Sequence, residues 1–229
     1  MSPLPHVVRV LASSLFALVV AVPASADIVG FSETFATNSA NWRNATGVTA
    51  LSWFANGGPL NSTYASSLFN LSTTTAGGFP ATVIRAHASY PSSAGAYVGN
   101  WITAGVTEVS FDFRHNLSES IVITGRFASA ANFPGASTVS SFAVASGVWT
   151  RVSYNLTAGS SDIVSFGGGT YESVFSNIGN MQFGFSVPAT LAGQNIDGTF
   201  DIANFQIIPA PSAISMLMVA GLSRARRRR

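Results

Sequence analysis

Residues 108–114 read Glu-Val-Ser-Phe-Asp-Phe-Arg, a stretch in which an apolar residue stands at every second position. Because successive side chains of a β-strand point to opposite faces, this alternation is typical of a strand with one buried face and one solvated face. The stretch therefore predicts a strand whose Val109, Phe111 and Phe113 enter a hydrophobic core.

The same alternation recurs along the chain, whereas the period of an amphipathic helix is almost absent. The other segments that show it are 121–127, 148–156, 181–187 and 200–202. Clusters rich in Gly, Pro, Asn and Ser separate these segments, as turns do. About ten short strands at this spacing, with almost no helix, predict an all-β fold in which two antiparallel sheets form one sandwich domain over residues 27–208.

The composition excludes several classes of function. Of the 229 residues, 47% are hydrophobic and only 9% are charged, and the chain contains neither cysteine nor lysine. The missing cysteine rules out disulfides, thiol nucleophiles, zinc fingers and iron–sulfur clusters. The missing lysine rules out Walker-type phosphate loops and Schiff-base catalysis.

The formal net charge of +2 is carried by the ends of the chain. Six of the eleven arginines lie there: Arg9, Arg224, Arg226, Arg227, Arg228 and Arg229. Residues 27–208 hold the other five arginines against all nine carboxylates, which gives that body a net charge of −4. A body with this balance offers no basic groove to a phosphate backbone, so nucleic acid is not an expected partner.

Residues 1–26 have the pattern of a secretory signal peptide. A weakly positive start precedes an apolar run over 10–22, and Ala24 and Ala26 supply the small residues that signal peptidase requires. Cleavage after Ala26 would leave Asp27 as the mature N-terminus and predicts an exported protein. The alternative is a permanent anchor, although the run is shorter than the roughly 20 residues that span a bilayer.

Three features follow one another at the C-terminus. Pro209, Ala210 and Pro211 form a short extended motif within 209–212, and an apolar segment occupies 213–222. The arginine cluster of 224–229 follows, and the positive-inside rule keeps such a cluster on the cytoplasmic side. The alternative is a tail helix that packs on the domain.

This tail resembles that of the PEP-CTERM family of exported bacterial proteins, with Ala210 standing where the family usually has glutamate. The resemblance covers 209–229 and implies processing by an exosortase, a membrane protease of the transpeptidase type. It implies a component of the surface or extracellular matrix of a Gram-negative-type bacterium. The short apolar segment favours transient membrane insertion followed by cleavage over a lasting anchor.

The two ends of the predicted sandwich also resemble a known design. Residues 31–35 and 198–205 are similar to the opening and closing strands of jelly-roll domains, which include many carbohydrate-binding modules. The resemblance implies that these two strands pair. It also implies that Glu33 and Asp201, with Asp197 nearby, help to hold a structural calcium ion, the alternative being plain solvent-facing carboxylates. No other cofactor is expected.

Tryptophan side chains are the best candidates for ligand binding, because their planar rings stack on the apolar faces of sugars. Trp149 stands out of phase with Val148 and Val152, so we expect it to be exposed or to face the second sheet. Trp101 is the second candidate for such stacking. The alternative is that both rings belong to the core.

Catalytic groups are few. A hydrolase would need a cleft in which His115, Asp112 or Glu119 converge, and no serine stands in a Gly-x-Ser-x-Gly elbow. Glu108 and Asp112 would lie about 13 Å apart along one strand face, farther than glycosidases place their two carboxylates. We therefore expect no enzymatic activity.

Together these observations predict an exported protein of the cell surface or extracellular matrix with a structural or adhesive role. The first alternative is a carbohydrate-binding module, with extracellular polysaccharide as its partner. The second alternative is a secreted glycan hydrolase.

Overall fold

The computed structural model describes residues 30–139 and 143–210, in which strands make up nearly all of the regular structure. The strands are β1 (Phe31–Glu33), β2 (Arg43–Asn44), β3 (Ser52–Phe54), β4 (Tyr64–Asn70), β5 (Ala81–His87), β6 (Val106–His115), β7 (Ile121–Ala128), β8 (Gly135–Thr138), β9 (Ala143–Val144), β10 (Thr150–Asn155), β11 (Ile163–Phe166), β12 (Asn180–Ser186) and β13 (Asp197–Pro209). The helical elements in these ranges are α1 (Tyr171–Phe175) and 3₁₀ turns at Pro59–Asn61, Leu71–Thr73 and Ser92–Gly95.

These strands form two antiparallel sheets that face each other across one core. The six-stranded sheet has the order β10-β6-β13-β4-β3, and β1 pairs with the second half of β13. The seven-stranded sheet has the order β11-β8-β7-β12-β5-β2, and β9 pairs with the start of β7. The predicted all-β fold with a two-sheet antiparallel sandwich is therefore confirmed.

Aromatic rings fill the space between the two sheets. Phe183, from the seven-stranded sheet, lies with its ring centroid 4.6 Å from that of Phe111 and 5.7 Å from that of Phe205, both from the six-stranded sheet. Trp42 adds an edge-to-face contact with Phe205 at 5.0 Å. All four side chains are fully buried. Each such ring removes roughly 150–250 Å² from water, so this cluster is a principal source of the hydrophobic stabilisation.

The opening and closing strands pair as the jelly-roll resemblance implies. In the antiparallel register of β1 with β13, Phe31 lies opposite Ile207 and Glu33 lies opposite Phe205. The predicted alternation also holds, because Val109, Phe111 and Phe113 of β6 are fully buried.

Most of the predicted targeting segments lie outside the described residues. This applies to residues 1–26 with the cleavage residues Ala24 and Ala26, and to Pro211 and the arginine cluster. Pro209 is the last residue of β13, one residue past the expected domain boundary, and the Ala210 N–H donates to the Gly105 carbonyl oxygen at 2.8 Å. Within 30–139 and 143–210, no helix has the length and apolar character needed to cross a membrane.

Candidate functional site

An open cavity of about 590 Å³ lies on the outer face of the seven-stranded sheet. We call it the outer groove; the side chains that define it are Phe79, Thr82, Arg126, Phe133, Phe166 and Gln182. Its volume falls within the range of about 300–1,000 Å³ that is usual for small-ligand sites. Strand register builds its floor, because Thr82 of β5 and Thr124 of β7 lie opposite Gly184 of β12.

Three phenylalanines form the walls of the outer groove. The Phe79 side chain is 99% exposed and that of Phe133 is 55% exposed, whereas Phe166 is half-buried. The rings of Phe133 and Phe166 meet edge to face, with their centroids 6.0 Å apart. Because these rings lie together in one cavity, they form an apolar patch of the kind that ligand sites present.

Two glycines allow the Phe133–Phe166 wall to form. A Cβ at Gly135 would lie 2.5 Å from the Phe166 ring, and a Cβ at Gly167 would lie 2.6 Å from the Phe133 ring. Gly167 also has a φ of +68°, a left-handed backbone conformation that residues other than glycine adopt only at a cost in conformational energy. Glycine at the start of β8 and directly after β11 therefore leaves room for the two rings of this wall.

Amide and hydroxyl groups form the polar part of the floor. The Thr82 hydroxyl donates to Gln182 Oε1 at 3.2 Å, and Gln182 Nε2 donates to Asn132 Oδ1 at 3.0 Å. Asn180 Nδ2 donates to the same Asn132 oxygen at 3.0 Å, while its own buried Oδ1 has no hydrogen-bond partner in the described structure. Of these residues, Thr82 and Gln182 line the outer groove, and the hydrogen bonds hold the buried Gln182 amide in place at its floor.

Arg126 lies between the aromatic wall and the polar floor. Its guanidinium carbon is 4.6 Å from the Phe166 ring centroid and 5.3 Å from that of Phe133. Its Nη2 donates to the Asn132 carbonyl oxygen at 3.0 Å, whereas its buried Nε has no partner in the described structure. Burial, and secondarily the charge of Arg85, lowers the pKa of the Arg126 guanidinium, but an arginine remains cationic at neutral pH.

The two tryptophans expected to bind a ligand lie elsewhere, and only one of them is accessible. Trp101 is 1% exposed, donates from Nε1 to the Tyr97 carbonyl oxygen at 2.7 Å and packs on Phe127 and Phe175. The expectation that it stacks on a ligand is therefore wrong. It lies in the irregular segment between the turn at Ser92–Gly95 and β6, where strand alternation cannot indicate burial.

Trp149 is half-buried on the outer face of the six-stranded sheet, just before β10. Its ring makes an edge-to-face contact with Tyr64 at 5.5 Å, and the Arg114 guanidinium lies 4.6 Å above it. Tyr64 in turn stacks on Phe54 at 4.7 Å. Arg114 is bound to Asp201 at 2.7 Å, so this aromatic patch is held by an internal ion pair.

The three carboxylates expected at a calcium site are separated along the last strand. Glu33 lies opposite Phe205, while Asp201 and Asp197 are four and eight residues before Phe205 on β13. At about 3.3 Å per residue, these positions are too far apart to share one ion. The Glu33 carboxylate accepts from the Phe35 N–H and the Ser93 hydroxyl, each at 2.7 Å.

The other two carboxylates also have protein partners. Asp201 binds Arg114, and Asp197 accepts from Asn70 Nδ2 at 2.8 Å. In the part of the chain that the structure describes, no group of three Asp, Glu or His side chains is arranged to hold a metal ion. The three residues therefore do not assemble the expected calcium site.

The residues that a hydrolase would need do not converge. His115 is 1% exposed and bound to the Val144 carbonyl oxygen at 3.0 Å, whereas Asp112 lies on the opposite, outer face of β6 and accepts from Asn204 Nδ2. Glu119 follows β6 and accepts from the Thr190 hydroxyl. His115 is the last residue of β6 and belongs to the core.

A second cavity of about 480 Å³ does contain two carboxylates, Glu108 and Asp162. Glu108 accepts from the Ser153 hydroxyl at 2.6 Å, and Asp162 accepts from the Asn155 N–H at 3.1 Å. This shallow polar depression lacks the aromatic surface of the outer groove.

Sequence reasoning missed the residues of the outer groove, although a signal for them was present. Phe79 and Phe133 stand inside the Gly- and Pro-rich clusters 77–80 and 132–135, and Phe166 directly precedes 167–169. These clusters indicate turns, which are surface features, so a phenylalanine inside one is expected to be exposed.

The solved structures that are similar to this chain match it at low sequence identity. No protein-family model matches the chain, and no curated protein matches it. One similar structure is the CBM22-1–GH10 part of endo-1,4-β-D-xylanase 10B of Clostridium thermocellum in complex with xylohexaose, at 14% identity and a TM-score of 0.47. The match covers 79% of this chain and 28% of that one.

Two further structures are similar over nearly their whole length. A family 11 carbohydrate-binding module of Clostridium thermocellum, in complex with a β-1,3-1,4-mixed-linked tetrasaccharide, is 14% identical with a TM-score of 0.42, and the match covers 79% of this chain and 88% of that one. The L4b domain of human laminin α-2 is 10% identical with a TM-score of 0.40, and the match covers 79% of this chain and 98% of that one.

Proposed function

We propose that this chain is a carbohydrate-binding protein and that the outer groove is its binding site. The observation that carries the proposal is the combination, in one open cavity, of exposed aromatic walls with a floor of hydroxyl and amide groups. Sugars present both kinds of surface, with apolar CH faces for Phe79 and Phe133 and hydroxyls for Thr82 and Gln182.

Binding without cleavage is part of the proposal. Among the described residues that line the outer groove there is no Asp or Glu, whereas glycosidases ordinarily act through a pair of carboxylates. The ligand is therefore held but not hydrolysed, which suits an adhesive role in an extracellular matrix.

The biological setting of the proposal comes from the ends of the chain. The pattern of residues 1–26 supports cleavage by signal peptidase, and the pattern of 209–229 supports processing by an exosortase-like protease. The protein would then act at the cell surface or outside the cell, with extracellular polysaccharide as its partner. Intact mass of the protein from cells and from medium of its native host tests this setting; export predicts loss of 1–26, and retention of those residues on the protein in the medium would contradict it.

Affinity electrophoresis of the purified chain in gels that contain single polysaccharides tests glycan binding. We expect retardation by at least one polysaccharide and about tenfold weaker binding in Phe79→Ala, since loss of one stacking ring is worth roughly 1.4 kcal/mol. Phe54→Ala is the matched control, because Phe54 is an exposed ring on the other sheet. An equal loss in both variants, or no retardation in any gel, would overturn the assignment of this groove.

A further inference from the structure

Arginine side chains form a row across the seven-stranded sheet. In the antiparallel register, Arg43 of β2 lies opposite Arg85 of β5, which lies opposite Gln182 of β12, which lies opposite Arg126 of β7. Residues directly opposite each other on neighbouring strands share a sheet face. The three arginines, which we call the arginine row, therefore stand on the outer face, with Arg126 inside the outer groove and the other two beyond Gln182.

The arginine row has no carboxylate partner among the described residues. The arginines of the six-stranded sheet differ in this respect. Arg114 binds Asp201 at 2.7 Å, and Arg151 lies 3.6 Å from Asp112. Among the described residues, the arginines of the six-stranded sheet are thus paired with carboxylates, whereas the arginine row is not.

This arrangement costs stability in the free protein. Like charges directly opposite each other on neighbouring strands, as in Arg43 and Arg85, are destabilising. Burial lowers the pKa of Arg85, and burial together with the charge of Arg85 lowers that of Arg126. An anionic ligand would offset both effects.

Arg85 and Arg126 also have guanidinium donors without an acceptor among the described residues, whereas both terminal nitrogens of Arg43 donate within the protein. The Arg85 Nε donates to the Ala45 carbonyl oxygen at 2.5 Å, and no described group accepts from its terminal nitrogens. The Arg126 Nε is buried without a partner in the described structure. Arginine forks of this kind bind carboxylate or sulfate oxygens through charge-assisted hydrogen bonds.

We infer that the polysaccharide bound by this protein is acidic, carrying uronate or sulfate groups that the arginine row recognises. The inference rests on the proposed function, since it names the ligand class of the outer groove. A glycan that crosses the strands would stack on Phe133 and Phe79 and place its anionic groups over the row, where adjacent positions are about 5 Å apart. The aromatic walls of the outer groove suit a polyanion that also presents sugar CH faces, so an acidic polysaccharide is the ligand to which we commit, with single-stranded DNA as the competing polyanion in the test.

Affinity electrophoresis against paired polysaccharides tests the inference. The pairs are polygalacturonate with neutral mixed-linked glucan, and carrageenan with agarose, and single-stranded DNA is included. All proteins are full-length chains in which the tail arginines are changed to Gln, because their charge attracts any polyanion. The substitutions in this background are Arg224→Gln, Arg226→Gln, Arg227→Gln, Arg228→Gln and Arg229→Gln.

Arg85→Gln is the diagnostic variant, and Arg151→Gln on the other sheet is the matched control. We expect retardation by at least one acidic polysaccharide, about tenfold weaker binding in Arg85→Gln, at most about twofold change in Arg151→Gln, and partial recovery in Arg85→Lys, which keeps the charge but loses the fork. Binding should also weaken as NaCl is raised from about 50 mM to about 500 mM. Thermal unfolding of each variant confirms that it is folded.

The outcomes separate the two proposals. Binding to neutral polysaccharides that is as tight as to acidic ones and unaffected by Arg85→Gln overturns the acidic assignment and leaves carbohydrate binding intact. Preference for single-stranded DNA overturns the polysaccharide as the ligand. No binding to any polysaccharide overturns carbohydrate binding itself, and the acidic assignment with it.

Discussion

Replacement of Phe183 by alanine is expected to be among the most destabilising substitutions in this chain. The side chain is fully buried, and its ring bridges the sheets, with centroids 4.6 Å from Phe111, 5.7 Å from Phe205, 6.2 Å from Trp42 and 6.3 Å from Phe127. A core Phe→Ala change costs about 3–5 kcal/mol, and contact with four other rings places Phe183 at the upper end, at about 4–5 kcal/mol.

Urea unfolding followed by circular dichroism measures this cost. A loss of about 4 kcal/mol lowers the melting temperature by roughly 8–16 °C for a domain of this size, and leaves little of the about 5–15 kcal/mol that holds a typical domain folded. Phe183→Leu keeps most of the volume and gives a measurable folded variant with a loss of roughly 1.5 kcal/mol.

The control is Phe79→Ala, whose side chain is 99% exposed and whose loss should change the free energy of unfolding by less than about 0.5 kcal/mol. If Phe183→Ala costs no more than Phe79→Ala at an unchanged denaturant slope, the aromatic cluster does not join the sheets as described.

Three further predictions concern single contacts. Arg114→Met should cost about 2–3 kcal/mol in urea unfolding, because it leaves the Asp201 carboxylate, which is 5% exposed, without its ion-pair partner. Asp201→Asn should cost less, because the Arg114 guanidinium that it leaves behind reaches water. Equal costs in the two variants would contradict this asymmetry. Burial lowers the pKa of the His115 imidazole, so as the pH falls below about 6.5 the unfolded chain binds a proton at this residue before the folded chain does, and the free energy of unfolding decreases. In a pH series, His115→Gln should show a shallower decrease, by up to about 1.4 kcal/mol per pH unit. Parallel curves for the two proteins would contradict this prediction. Gly167→Ala should cost about 1–2 kcal/mol in thermal unfolding, since it strains a positive φ and crowds Phe133; a neutral result would mean that the loop shifts freely.

Periodicity predicted the parts of the fold that one strand determines alone. The alternation in 108–114 placed Val109, Phe111 and Phe113 in the core, because burial of one sheet face requires period two. It gives no information on Trp101, which precedes β6 in an irregular segment where side chains have no fixed phase.

The candidate site could not be predicted in the same way, because register between strands distant in sequence creates it. Arg85 and Arg126 become neighbours across Gln182 only when β5 and β7 pair with the two edges of β12. Alternation assigns each residue to a face, but it does not say which residue of another strand lies opposite. The expected calcium site failed for a related reason, since Glu33 meets β13 at Phe205 and not at Asp201.

The position of β13 in its sheet has a consequence for the order in which the chain can fold. This strand is the last of the described chain, yet it lies in the middle of the six-stranded sheet, between β6 on one side and β4 with β1 on the other. Until residues 197–209 are available, the two halves of that sheet have no strand to join them. Most of the pairing in the six-stranded sheet is therefore deferred until this last strand has been delivered.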